Sequence, residues 1–241
     1  MTELMIKLRR SPRTLLERDG HPGAGPGHLA LVMARAGVGK TAFLVGIGID
    51  ALLSGRKVLH ISLERTVDKI RNWYDDLLTE MLRNEGRLDL RTAIQLEMER
   101  RRHIHTYVGQ SFSGERLGQA LALLRETMDF VPDVIILDRM ELEGFDPEII
   151  GAAKALAADI GAELWMACRT RRDGPEAAAG HLPPPAETFE DLVDTAFSLV
   201  PQDAKIRLHV LKDSRKMLDQ DLNVLLDPTT LLLVTGFGAR R

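Results

Sequence analysis

The chain has 241 residues, of which 44% are hydrophobic, and this suits one α/β domain with a substantial core. The formal net charge of -3 at pH 7 excludes the strongly basic balance of proteins that bind nucleic acid over their whole surface. The longest apolar runs are too short to cross a bilayer, no signal-peptide core begins the chain, and Cys168 is the only cysteine. We therefore expect a cytoplasmic protein without a membrane span or an internal disulfide.

The start of the chain differs in composition from the rest. Residues 1 to 18 carry a short amphipathic pattern with basic side chains that include Arg9 and Arg13, and residues 19 to 27 are rich in Gly and Pro. We interpret them as an arm and a linker, which leaves residues 28 to 241 for the main domain. The arm either contacts an acidic partner or is a partly ordered extension.

A phosphate-binding loop is the strongest functional signal. The wholly apolar run at residues 29 to 34 predicts a buried strand, and residues 42 to 54 predict the helix after the loop. Small residues let backbone N–H groups form an anion nest, while the lysine reaches phosphate oxygens and the threonine holds Mg²⁺. The residues expected to bind nucleotide are Ala36, Gly37, Val38, Gly39, Lys40 and Thr41.

The loop departs from the usual pattern at its first position. The pattern opens with a glycine, and here Ala34 stands in its place and turns less freely. The alternative interpretation is a chance Gly-Lys-Thr sequence in an ordinary loop. The flanking strand and helix favour the phosphate-binding loop.

Residues 58 to 64 predict a second buried strand, which ends in the carboxylate of Glu64. At the carboxyl end of a parallel strand, this side chain would face the phosphate crevice. A glutamate there can orient or deprotonate the water that attacks a γ-phosphate. The alternative is an ordinary helix-cap carboxylate before Thr66.

The segment after this glutamate is expected to be mainly structural. Apolar spacing predicts helices at residues 67 to 84 and 89 to 102, and the arginines up to Arg102 are expected to form a solvated helix end. A strand then places His103 and His105 on one face. Because no third ligand lies nearby in sequence, a polar face is favoured over a metal pair.

A second carboxylate completes the expected site. A helix with an apolar stripe is predicted at residues 111 to 130, and the next strand has four apolar residues and closes at Asp138. A carboxylate at the end of a buried strand beside the loop holds the Mg²⁺ shell, directly or through water. Many buried strands end in Asp, so this motif indicates a metal site only in combination with the loop and Glu64.

From about residue 28 onward, the chain resembles the RecA-like ATPases, and within them the core of DnaB-type replicative helicases and the related KaiC-like proteins. Residues 34 to 41 are similar to the helicase form of the loop, and residues 61 to 64 are similar to the ending of that family's second strand. The resemblance implies an ATPase that uses ATP and Mg²⁺. It assigns the catalytic and metal-binding roles to Lys40, Thr41, Glu64 and Asp138.

The expected fold is a three-layer α/β sandwich around a mostly parallel sheet, with the nucleotide at the carboxyl ends of the strands. Later strands are predicted at residues 162 to 168, 193 to 200 and 205 to 212, and a last hairpin runs through Asp227 to about Val234. The resemblance implies that the sandwich is RecA-like with a C-terminal β-hairpin.

Three basic residues late in the chain take roles by resemblance. Arg169 stands where the helicases usually place a glutamine that senses the γ-phosphate, and an arginine can pair with phosphate directly. Ring-forming members send a Lys and an Arg into the neighbouring subunit's ATP site; Lys212 and Arg215 match this pair with a spacing one residue longer. A basic turn between strands is the alternative. The resemblance thus implies a homo-oligomer, with a hexamer favoured.

Some features of the sequence favour nucleic-acid binding, and others oppose it. Residues 173 to 189 resemble the mobile loop that lines the central channel in the family, and Arg171 and Arg172 lie just before them. Residues 139 to 148 are acidic, where a loop that grips a strand should avoid repelling phosphate.

Three functions remain open. The first is a ring-forming ATPase that acts on single-stranded DNA or a protein partner. The second is a regulatory ATP switch of the KaiC or ParA/MinD kind; residues 35 to 41 resemble the ParA/MinD loop, with Arg35 in place of its signature lysine. The third is an interaction module that binds nucleotide without motor activity. Salt-sensitive binding of single strands would favour the first, and ATP-dependent dimerisation the second.

Overall fold

A computed structural model of the protein describes residues 3–16, 24–107, 112–138, 146–170, 181–213 and 216–234, without the side chains of 216–223. Several predictions from sequence fall outside these residues. They concern Arg171, Arg172, Arg215, most of the acidic segment (139–145) and the first part of the channel-loop segment (173–180).

One eight-stranded sheet organises the chain, with the strand order β3-β2-β4-β5-β1-β6-β7-β8. The six strands from β3 to β6 in that order are parallel, and β7 and β8 are antiparallel, so the predicted α/β fold with a mostly parallel sheet is confirmed. The strands are β1 (Leu29–Ala34), β2 (Val58–Ser62), β3 (Arg102–Thr106), β4 (Val134–Asp138), β5 (Glu163–Arg169), β6 (Thr195–Gln202), β7 (Lys205–Asp213) and β8 (Lys216–Leu226).

Helices cover both faces of the sheet. Those packed on one face include α2, α3 and α4, and those on the other include α5 and α6. The α-helices are α1 (Glu3–Leu8), α2 (Lys40–Leu53), α3 (Val67–Asn84), α4 (Arg91–Glu99), α5 (Gly114–Met128) and α6 (Pro147–Asp159), and short 3₁₀ helices lie at Pro12–Leu16, Leu88–Leu90 and Ala186–Leu192. Among the helices of the described residues, none has the length and apolar character needed to cross a bilayer.

The central strand explains why the sequence gives two cores. Every residue of β1 is buried, and its side chains alternate between the two faces. Val32 and its even-numbered neighbours pack with α2, whereas Leu31 and its odd-numbered neighbours pack with α5 and α6. A strand buried on both sides therefore appears in the sequence as a continuous apolar run.

Local capping residues fix the starts of three helices. The side chains of Thr66, Ser113 and Asp146 accept hydrogen bonds from backbone N–H groups in the first turns of α3, α5 and α6. Helix α6 was not predicted from the sequence, because its cap falls within the acidic segment. The pair Asp146-Pro147 is a typical helix start, with proline in the first helical turn.

The boundaries near Arg102 differ from the prediction. The helix expected to reach residue 102 is a short 3₁₀ turn followed by α4, which ends at Glu99. Arg102 is the first residue of β3 and is buried, so it is not part of a solvated helix end. Its guanidinium stacks over the ring of Tyr74, 4.4 Å from the centroid.

The end of the chain forms a different hairpin from the one expected. Strands β7 and β8 pair antiparallel along most of their length. After β8 the chain turns at Asp227, and a single bridge joins Leu226 to Leu233. The predicted hairpin through Asp227 is thus reduced to this bridge, and the main C-terminal hairpin lies one strand earlier.

The N-terminal arm packs on the body of the domain through a buried ionic cluster. Arg13 is fully buried, and its guanidinium lies 2.7 Å from Glu163 Oε1 and 3.3 Å from Asp50 Oδ1. Arg9 also pairs with Asp50, and Arg56 with Glu163. Because Glu163 begins β5, these five residues form an amino-edge cluster, at the opposite end of the parallel strands from their carboxyl ends.

Candidate functional site

The predicted phosphate loop joins β1 to α2 at the carboxyl edge of the sheet. Gly37 and Gly39 have φ angles of 81° and 107°, in the left-handed region that favours glycine. A Cβ added at Gly37 would meet nothing within 4 Å, while one at Gly39 would lie 3.0 Å from the Leu231 side chain. The loop backbone therefore requires both glycines, and the space above Gly37 is open.

The start of α2 differs from the three capped helices. Gly39 occupies the cap position and provides no side-chain hydrogen bond, and no acidic residue lies in the first turn. The first N–H groups of a helix have no partners inside it and carry the positive end of the helix dipole. This terminus is therefore suited to an anion such as phosphate.

Lys40 lies over the loop that precedes it. Its ammonium donates hydrogen bonds to the carbonyl oxygens of Ala34, at 2.8 Å, and of Arg35, at 3.0 Å. The side chain is partly exposed, as are the neighbouring loop residues Val38 and Gly39, while Ala36 is exposed. The positive charge thus stands at the mouth of the loop, where phosphate oxygens would have access to it.

Thr41 and Asp138 meet although they are 97 residues apart in sequence. The Thr41 hydroxyl lies 3.2 Å from Asp138 Oδ1 and 3.1 Å from Oδ2, within hydrogen-bonding distance of both. Thr41 is 7% exposed and Asp138 is 1% exposed. The first turn of α2 and the end of β4 thus bring a hydroxyl and a carboxylate together beside the loop, and their joint role in binding a metal stays a prediction.

The Thr41 hydroxyl and the Asp138 carboxylate are too few to hold a metal by protein groups alone, but they suit Mg²⁺. Mg²⁺ prefers hard oxygen ligands, keeps several waters and is commonly bound by one or two carboxylates together with phosphates. The part of the chain that the structure describes contains no group of three His, Cys, Asp or Glu side chains that could hold a metal ion. His103 instead packs edge-on against Phe130, with ring centroids 4.4 Å apart.

Glu64 lies just beyond the end of β2, on the same edge of the sheet. Ser62 is in register with Asp138, and the Leu63 N–H donates to the Asp138 carbonyl at 3.2 Å. The Glu64 side chain is exposed. The residue that caps α3 is Thr66, so Glu64 does not have the alternative role of a helix cap.

Arg169 ends β5, which lies between β4 and β1. It is in register with Ala34, whose carbonyl accepts both the Thr170 N–H and the Lys40 ammonium. The Arg169 side chain is exposed and has no hydrogen-bond or ion-pair partner among the residues that the structure describes. It therefore stands between the loop and the Asp138 strand, and its role as a γ-phosphate sensor stays a prediction.

Lys212 is the predicted site residue that is not brought to this edge. It pairs in register with Ala196, which is level with Leu31 in the middle of β1. Its buried ammonium donates to the Glu190 carbonyl at 2.6 Å, at the end of a 3₁₀ helix. Its proposed action in a neighbouring subunit, with Arg215, stays a prediction.

A buried histidine lies on β2 behind the site. His60 is fully buried, and its Nδ1 is 3.0 Å from the Tyr74 hydroxyl. Burial, with a smaller contribution from the Arg102 charge, lowers the pKa of His60 to about 3. The imidazole is therefore neutral near pH 7, and this part of the core carries no histidine charge.

Arg65 is a candidate residue that reasoning from sequence missed. It follows Glu64 directly, and its Nε is buried without a hydrogen-bond partner in the described part of the chain. The available signal was its place next to the proposed catalytic glutamate, at the end of a parallel strand.

The sequence matches no model of a protein family and no curated protein.

Proposed function

We propose that this chain is a Mg²⁺-dependent ATPase with a RecA-like core of the DnaB type. The observation that carries the proposal is the contact between Thr41 and Asp138, beside a glycine loop that opens an uncapped helix. A chance Gly-Lys-Thr sequence does not explain why a buried carboxylate from another strand lies at the threonine hydroxyl.

The chain's own groups have separate roles in this proposal. The N–H groups of the loop and of the first turn of α2 bind phosphate oxygens, and Lys40 exchanges its loop carbonyl partners for the β- and γ-phosphates. Thr41 and Asp138 are the residues that would hold the metal. Mg²⁺, when bound, neutralises charge on the phosphate oxygens.

Glu64 and Arg169 act on the transferred phosphoryl group. Glu64 orients or deprotonates the attacking water, for which an exposed carboxylate at the edge is accessible. Arg169 pairs with the γ-phosphate, since a guanidinium can form two parallel hydrogen bonds to phosphate. Both residues flank the strand that ends in Asp138.

Assembly and partners follow from the resemblance. A DnaB-type core would form a homo-oligomeric ring, with a hexamer favoured, and would act on single-stranded DNA or a protein partner. Strands β7 and β8 extend the parallel sheet with a C-terminal hairpin, which agrees with this architecture.

The test is ATP turnover by the purified protein, beside Glu64→Gln and Lys40→Ala, with and without single-stranded DNA and with particle mass recorded in parallel. We expect turnover to fall by roughly 10²–10³-fold in each variant, because each removes a group that acts on the transition state. Stimulation by DNA in a ring-sized particle would support the motor.

Other outcomes would redirect the proposal. ATP binding without turnover in the wild type would contradict the hydrolase and leave a regulatory switch or an interaction module. ATP-dependent dimers would favour the switch. Turnover that survives in Lys40→Ala would refute the assigned site.

A further inference from the structure

We propose that Arg65 is a second phosphate-binding arginine of the same chain and that it distinguishes a nucleoside triphosphate from a diphosphate. This inference rests on the proposed function. It adds a specificity-determining residue to the site.

The position of Arg65 is set by the strand order. Strand β4, which ends in Asp138, lies between β2 and β5. Arg65 comes three residues after the end of β2, and Arg169 is the last residue of β5. The carboxyl edge thus carries one arginine on each side of Asp138, and both strands that flank the metal-binding carboxylate contribute a cation.

The backbone at Arg65 is held in place. Its N–H donates to the Ser62 hydroxyl at 3.0 Å, and Ser62 is fully buried and in register with Asp138. The Leu63 N–H is bonded to the Asp138 carbonyl. The chain between β2 and α3 is therefore tied to the Asp138 strand, which limits how far the arginine can move from the site.

The side chain of Arg65 has an unmet hydrogen bond. Its Nε is buried, and no partner for it exists among the described residues. A buried donor without an acceptor is costly, so native proteins normally provide one. The Nε of Arg13 follows this rule, since it donates to Glu163 at 2.9 Å, whereas Arg102 Nη1 on β3, like Arg65 Nε, is buried without an acceptor among the described residues.

An incoming γ-phosphate would supply an acceptor if the Arg65 side chain, whose Nε is buried, turned towards the carboxyl edge. Phosphate oxygens accept strong charge-assisted hydrogen bonds from guanidinium, and the γ-phosphate adds charge that a diphosphate lacks. The loop and Lys40 can bind both ATP and ADP. Arg65 follows Glu64, the residue proposed to orient the water that attacks the γ-phosphate, and only ATP has that phosphate. Arg65 should therefore strengthen binding of ATP much more than of ADP.

The experiment measures the affinities of Mg·ATP and Mg·ADP by calorimetric titration, in a Glu64→Gln background that blocks turnover. Arg65→Ala and Arg65→Lys are compared with Arg71→Ala, which removes an exposed arginine of α3 whose ion pairs are no closer than 3.8 Å. Denaturant unfolding of each variant shows that it is folded.

For Arg65→Ala we expect a loss of ATP affinity of about 10- to 100-fold and a loss of ADP affinity below about threefold. Arg65→Lys should retain part of the preference, because its ammonium keeps the charge but not the two-pronged geometry. Arg71→Ala should change neither affinity.

Equal losses of ATP and ADP affinity, or no loss, in folded Arg65→Ala would overturn the role of Arg65 while the ATPase proposal stands. Absence of binding by the parent Glu64→Gln protein and by the wild type would overturn the proposed function itself. The two failures are therefore distinguishable.

Discussion

The two edges of the sheet carry charged clusters of opposite kinds. At the amino edge, Arg13, Asp50 and Glu163 are almost completely buried and pair with one another. At the carboxyl edge, Glu64 and Arg169 are exposed. Buried charges must be paired to be tolerated, so loss of one partner from the first cluster is costly, whereas the exposed side chains at the carboxyl edge are accessible from solvent.

Helix α2 connects these edges. It begins with Lys40 and Thr41 at the phosphate loop, and Asp50 lies in its last turns, in contact with the N-terminal arm. The arm therefore contacts the helix that carries the proposed site, although the arm lies at the opposite edge of the sheet from that site.

Removal of the central arginine of the amino-edge cluster should have the largest effect. Arg13→Ala leaves the carboxylates of Asp50 and Glu163 with fewer partners in the interior, and we expect the free energy of unfolding to fall by about 3–5 kcal/mol. Urea unfolding followed by circular dichroism measures this change.

The matched control is the same substitution at the other edge. Arg169→Ala should change the free energy of unfolding by less than about 0.5 kcal/mol, because the side chain is exposed. Equal costs for the two substitutions would remove the distinction between a structural and a functional cluster.

Acid should lower the stability of the folded protein through His60, which is buried behind the carboxyl edge. His60 has a pKa lowered to about 3 in the folded state, from 6.5 in the unfolded chain. Below pH 6.5 the unfolded chain binds a proton that the folded protein excludes, so stability is lost as the pH falls towards 3. By pH 5 the loss from this one group is about 2 kcal/mol.

His60→Gln isolates this contribution, since glutamine does not titrate and can still bond to the Tyr74 hydroxyl. We expect the variant to lose about 2 kcal/mol less than the wild type between pH 7 and pH 5, as measured by urea unfolding at each pH. Parallel losses in the two proteins would show that the histidine is not shielded from protons.

Substitution of two glycines of α2 should change stability by smaller amounts than Arg13→Ala, and with opposite signs. A Cβ at Gly48 would lie 2.2 Å from the Tyr74 hydroxyl, whereas one at Gly46 would meet the Leu232 side chain at an ordinary 3.5 Å. Alanine favours a helix over glycine by about 1 kcal/mol, and overpacking costs about 1–3 kcal/mol.

Gly48→Ala should therefore destabilise the protein by roughly 1 kcal/mol and Gly46→Ala should stabilise it by up to about 1 kcal/mol, measured as shifts in the midpoint of urea unfolding. If both variants are stabilised, Tyr74 can move away from α2, and the link between the helix and His60 is looser than the structure indicates.

The carboxyl edge could be predicted because its signals are local. The Gly-Lys-Thr sequence and the carboxylates after two apolar strands are each contained in a few residues, and parallel strands bring their ends to one edge. The place of Asp138 beside the loop followed from this rule, whereas its direct contact with the Thr41 hydroxyl was not predicted. The bounds of α3 were also predictable, since a capping threonine precedes a long apolar stripe.

The amino-edge cluster could not be predicted in this way. Arg13 and Glu163 are 150 residues apart, and each alone is typical of a solvated surface. No periodic pattern distinguishes a basic residue that pairs in the core from one that faces water. The same reason explains Arg102, whose burial depends on Tyr74 from a different element.

The place of β1 in the sheet sets an order for folding during synthesis. Its partners are β5 and β6, which begin at residues 163 and 195, so the strand that precedes the predicted phosphate loop stays unpaired until most of the chain has left the ribosome. Such long-range parallel pairing is slow and exposes apolar strands to aggregation. A chain that stopped before β6 would leave one edge of the apolar strand β1 unpaired. We therefore expect the complete sheet to form only near the end of translation.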